Sequence, residues 1–74
     1  MKGGELLRKV QAVGKARGVN VVFDQRHRKG SHGTLFYGAR KTILKDRKKE
    51  IGPGLLHKML GDLGLTLRDL QYKG

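Results

Sequence analysis

The side chains available for acid–base or metal chemistry in this 74-residue chain are three His and six Asp or Glu, and there is no Cys. Disulfide frameworks, thiolate zinc sites, redox CxxC pairs and a Cys nucleophile are therefore excluded. His27 lies in the basic turn Arg26-His27-Arg28-Lys29, His32 at the glycine-flanked start of an apparent strand, and His57 on a later helix. No two of them have helical metal spacing, so no metal or cofactor is expected. His32 stands out, because Gly30 and Gly33 keep its backbone open to close approach and the surrounding segment is the most basic in the chain. RNA cleavage without a metal needs a base to deprotonate the ribose 2′-hydroxyl and cations to hold the phosphate. An imidazole suits the base role, since its unperturbed titration lies near neutrality. The leaving 5′-oxygen needs a proton as well, for which His27, Lys29, Lys45 or water are the candidates. The blander readings are an exposed strand histidine at 32, a polar turn residue at 27 and a surface side chain at 57.

Charge supports an anionic partner. Seventeen Lys and Arg oppose six acids, for a net +11. Between Arg26 and Lys49 nine cations face one acid, Asp46, whereas the stretch from Ile51 onward is nearly balanced. Solubility alone would scatter such charge; clustering points first to nucleic acid and second to an acidic protein. Arg47, Lys48 and Lys49 precede a helix expected to open at Pro53, where free N–H groups and the helix dipole would help grip a phosphate. Arg26, Arg28 and Lys29 form a second grip beside His32, and Lys45 lies between the two. Tyr37 or Phe36 is placed to stack on an unpaired base, against the alternative that each packs in the core. No apolar run approaches a membrane span and none follows Met1 as a signal segment. Together with the absence of Cys this gives an expectation of a cytoplasmic protein with no membrane partner.

The elements that must position these residues follow from periodicity. Seventy-four residues make one domain, 1–74, with a thin core. Leu6, Leu7, Val10, Val13 and Gly14 recur at helical spacing and predict a helix over Glu5 to Arg17, stopped by Gly18. Val19 to Phe23 is β-branched and aromatic, a strand. Gly30 to Tyr37 predicts a second strand, and Gly38-Ala39 a hairpin turn into a third strand over Arg40 to Lys45. Gly52-Pro53 opens a helix whose stripe is Leu55, Leu56, Met59, Leu60 and Leu63, closed at Gly64, and Thr66 to Asp69 carries a capping-box pattern. The order α-β-β-β-α, with three strands in an antiparallel meander and both helices on one sheet face, is an α+β architecture of the double-stranded-RNA-binding-domain type. Strand parity groups His32 with Thr34 and Phe36, and Gly33 with Leu35 and Tyr37. An exposed His32 thus exposes Phe36 as well, unless Gly33 marks a bulge.

Gly30-Ser31-His32 before an apolar-aromatic strand, a basic third strand, and Gly52-Pro53-Gly54-Leu55-Leu56 opening the last long helix together resemble the HicA family of toxins. The resemblance runs from the Glu5-Leu6-Leu7 helix through Leu65. It implies the same double-stranded-RNA-binding-like fold and a messenger-RNA interferase (an endoribonuclease) of a toxin–antitoxin system. His32 would be its catalytic residue, and an acidic HicB-like antitoxin its partner. Family members often carry a second His directly after the first, where this chain has Gly33. The alternative is a non-catalytic RNA-binding module, either of the double-stranded-RNA-binding type or KH-like, since Gly30-Ser31-His32-Gly33 also fits a GxxG backbone clamp.

Overall fold

A computed structural model describes residues 1–25 and 32–71. The chain runs α1 (Gly3–Arg17), β1 (Val21–Asp24), β2 (Gly33–Tyr37), β3 (Arg40–Leu44), α2 (Pro53–Leu63) and α3 (Leu67–Leu70). This is the expected α-β-β-β-α layout, with the last turn of helix added. Val19, expected in the first strand, instead donates its N–H to the Gly14 carbonyl at 2.8 Å and closes α1 behind Gly18, which takes the left-handed conformation at φ 69°. The strand consequently starts at Val21.

The three strands pair antiparallel in the order β1-β2-β3. Val22 lies opposite Phe36 and Phe36 opposite Lys41; Asp24 lies opposite Thr34 and Thr34 opposite Ile43. The register is continuous along β2, so Gly33 marks no bulge and residues alternate strictly between the two faces. One face, carrying Val21, Phe23, Leu35, Tyr37, Thr42 and Leu44, meets the helices: Leu35 and Leu44 are fully buried, and Val21, Phe23 and Tyr37 pack against the core. The other face is open, with Val22 and Ile43 about four-tenths exposed (44% and 39%) and Phe36 half-buried between Val22 and Lys41.

Leu6, Leu7, Val10 and Val13 of α1 and Leu56, Met59, Leu60 and Leu63 of α2 complete one core with Leu35 and Leu44. The one buried polar side chain of that core among the described residues, Thr42, donates to Asp62 of α2 at 2.9 Å, so its hydroxyl is satisfied where β3 meets the helix. Gly64 ends α2 in the left-handed region, and the Leu65 N–H returns to the Leu60 carbonyl at 2.8 Å, turning buried Leu65 back onto the core.

α3 is fastened to α1 by charge. The Arg17 guanidinium donates to Asp69 at 2.7 Å, and the Thr66 N–H donates to the same carboxylate at 2.8 Å within a capping box. The Arg17 hydrogen bond first, and the Thr66 N–H second, hold the Asp69 carboxyl below its ordinary value. A carboxyl whose folded-state pKa is depressed adds stability above its unfolded pKa and loses it as pH falls through the folded value. The melting temperature is thus expected to drop below about pH 4, near the ordinary Asp range, and the drop to be shallower in Asp69→Asn. Thermal melts of both proteins between neutral and strongly acid pH check this.

Candidate nucleic-acid interface

In an antiparallel meander the end of β1, the start of β2 and the end of β3 fall at one edge of the sheet. Here that edge holds Asp24, Gly33 and Leu44, with Gly33 and Leu44 directly paired. His32 is one residue outside Gly33 and Lys45 one residue outside Leu44, so the two stand opposite each other where the ladder ends. By parity both belong to the open face, and both are exposed. The fold therefore brings the singled-out histidine and one predicted cation together, and runs from them into the basic connection 46–50. Arg26, Arg28 and Lys29, with His27, Gly30 and Ser31, lie outside the described residues.

Gly33 has a different reason from the one expected. A Cβ at this position would lie 2.6 Å from two ring carbons of Phe23 and 3.0 Å from Gln25. The glycine makes room for an aromatic ring on the helix-covered side, not for a ligand on the open side. Arg47 in turn lies over that ring, 5.7 Å from its centroid, a cation–π contact. Arg47, Phe23 and Gly33 thus form a stack leading to the backbone that carries His32. A second histidine directly after the first would have no place to go in this packing.

The run Asp46 to Glu50 is hydrogen-bonded to the start of α1, and Lys49 shares a hollow with Leu55 of α2. Gly4 donates to the Arg47 carbonyl at 2.8 Å and Gly3 to the Lys49 carbonyl at 3.1 Å, and Lys2 bridges to Glu50. Ile51 donates to the Met1 carbonyl at 2.8 Å, and the Met1 amino group pairs with the Glu50 carboxylate. Asp46 accepts the Lys48 N–H at 2.8 Å, which tightens the turn. Apart from the Asp46 and Glu50 carboxylates these bonds use main-chain groups, leaving the Arg47, Lys48 and Lys49 side chains exposed. The Gly3-Gly4 pair is the sequence signal for this docking. A Cβ at Gly3 would lie 2.3 Å from the Asp46 carbonyl oxygen, so only glycine admits the connection so close. The helix N–H groups at this docking therefore bind the chain's own carbonyls.

Tyr37 sits at the far end of β2 from His32, paired with Val21 and Arg40, on the helix-covered face and packed against the core. Phe36 is the aromatic of the pair that belongs to the open face. His57 is exposed on α2. Lys2 and Arg8, which the sequence did not single out, line a groove with Arg47 and Lys48. No helix among the described residues is long and apolar enough to cross a membrane. Comparison with protein-family models, with curated proteins and with solved structures finds no match.

Proposed function

We propose that this chain is a metal-independent RNA endonuclease in which His32 is the general base. The observation that carries the reading is that exposed His32 and exposed Lys45 each lie one residue beyond the paired Gly33 and Leu44, at the end of the sheet from which the basic connection runs. In the reaction, the His32 imidazole takes the 2′-hydroxyl proton and the ribose oxygen attacks the adjacent phosphorus. The bond from phosphorus to the 5′-oxygen breaks, and that oxygen takes a proton from the Lys45 ammonium or from water. The products are a 2′,3′-cyclic phosphate and a 5′-hydroxyl. Lys45 offsets the charge gathering on the phosphate oxygens, and the Arg47 to Lys49 cations hold the RNA backbone beyond the scissile bond. Following the resemblance to the HicA family, the substrate is messenger RNA, the biological role is that of a toxin, and an acidic antitoxin protein holds it inactive in the cytoplasm.

A non-catalytic RNA-binding module would use the same cations, so binding alone does not separate the readings; the 2′-oxygen does. The purified chain is expected to cut unmodified RNA in the presence of EDTA and to leave the same sequence intact when every 2′-hydroxyl is methylated. Intact unmodified RNA, or equal cutting of the methylated strand, would sink the proposed chemistry.

A further inference from the structure

We propose that the groove between the first turns of α1 and the connection 46–48 is a second phosphate-binding site, which grips the RNA backbone away from the point of cleavage. The inference rests on the reading of the chain as an RNA-binding protein, but not on its cutting RNA. The groove is open to solvent and offers about 510 Å³ along its floor. Lys2 at the N-cap and Arg8 within α1 border it on one side, and Arg47 and Lys48 from the connection, all four exposed. Both acids on its rim are already engaged: the Glu5 carboxylate lies 3.7 Å from the Lys9 ammonium, and Asp46 accepts the Lys48 N–H. Four cations against two carboxylates leave the lining with a net positive charge, and Lys9 further offsets Glu5. Its main-chain donors at Gly3 and Gly4 are taken by Lys49 and Arg47 carbonyls, so an anion is held by side chains, with the Arg guanidiniums offering paired donors to a phosphate.

The lining favours a polyphosphate backbone over an acidic peptide. Its one apolar side chain, Leu7, is buried in the core, whereas a peptide partner gains most of its affinity by seating apolar anchors in pockets. A nucleic-acid backbone needs only charge. The connection that begins beside Lys45 at the end of the sheet leads along the chain to Arg47 and Lys48 in the groove.

The test is the double variant Lys2→Gln/Arg8→Gln, titrated with a fluorescent, fully 2′-O-methylated single-stranded RNA across a range of salt. Such RNA cannot be cut through its 2′-oxygen, so binding is read independently of catalysis. The variant is expected to bind roughly tenfold more weakly at moderate salt. Its log–log salt slope is expected to flatten by about 1.4, two phosphates at ~0.7 each for a single strand. The charge-preserving Lys2→Arg/Arg8→Lys protein is expected to retain most of the binding, and thermal melts check that all variants stay folded. Lys58→Gln/Arg68→Gln, which removes the same charge from α2 and α3, is expected to leave the slope near wild type. An unchanged slope in the first variant, or an equal loss in the control, overturns the proposal. So does loss of binding to a glutamate-rich peptide of matched charge while RNA binding persists. Failure of the wild-type chain to cut unmodified RNA defeats the nuclease reading and leaves this one standing.

Discussion

His32→Ala is expected to lower kcat for RNA cleavage by about 10²- to 10⁴-fold, the usual worth of a positioned general base. At 1.36 kcal/mol per decade this is roughly 3 to 5 kcal/mol of transition-state stabilisation. The Kd for uncleavable RNA is expected to stay within about threefold, because the cations do the binding and the imidazole is one of many neighbours. Thermal stability is expected to be unchanged. His32 is exposed, precedes the first ladder residue of β2 and is absent from the core, and surface changes of this kind usually stay within about 0.5 kcal/mol. In cells, wild type is expected to arrest growth when expressed alone and His32→Ala to be harmless. Undiminished cleavage by the folded, purified variant would falsify the assignment of the base.

Gly33→Val is expected to be the most damaging single change near the site, for a reason unrelated to catalysis. The new Cβ would meet two Phe23 ring carbons at 2.6 Å, closer than side-chain carbons approach, and the ring is sandwiched in turn by Arg47. Overpacking of this sort costs about 1 to 3 kcal/mol. In a domain of this size each kcal/mol lowers the melting temperature by ~4 to 8 °C. A drop on the order of 10 °C is therefore expected, with RNA binding weakened through displaced Arg47. Shrinking the ring, in Gly33→Val/Phe23→Leu, is expected to restore part of that loss, so the two substitutions are coupled. Equal melting temperatures for wild type and Gly33→Val would show that the ring has room to retreat and that the stack does not position the site.

Local periodicity carries most of this fold. The Leu6, Leu7, Val10 and Val13 stripe, the β-branched Val21 to Phe23, and the glycines at 18, 38 and 64 each state an element or its end within a few residues. Parity likewise placed His32 with Thr34 and Phe36, leaving only a bulge to be excluded, which the continuous register does. What local pattern does not carry is the partner across the fold. Gly33 reads as freedom for a ligand until Phe23, from another strand, is seen to fill the space. The cations at 47 to 49 read as neighbours of Pro53 by sequence distance, and what that distance does not show is that Gly3 and Gly4, more than forty residues earlier, bind the Lys49 and Arg47 carbonyls. Tyr37 and Phe36 are equal candidates until the register assigns one to each face. Lys2 and Arg8 acquire a shared groove with the basic run only through the same docking.

That docking also has a bearing on the order of events during folding. The pairing of Met1 with Glu50 joins positions 49 apart in the chain, a closure whose entropy is set against contacts that exist only once the intervening hairpins are in place. The first turn of α1 and the cationic connection are therefore expected to join late, after the meander has brought them into range, and substitutions at Gly3 or Glu50 to speed unfolding more than they slow folding. A chain arrested before that closure would have its helices and strands in outline but no assembled grip, so competence to seize a polyanion arrives in one step with the native state.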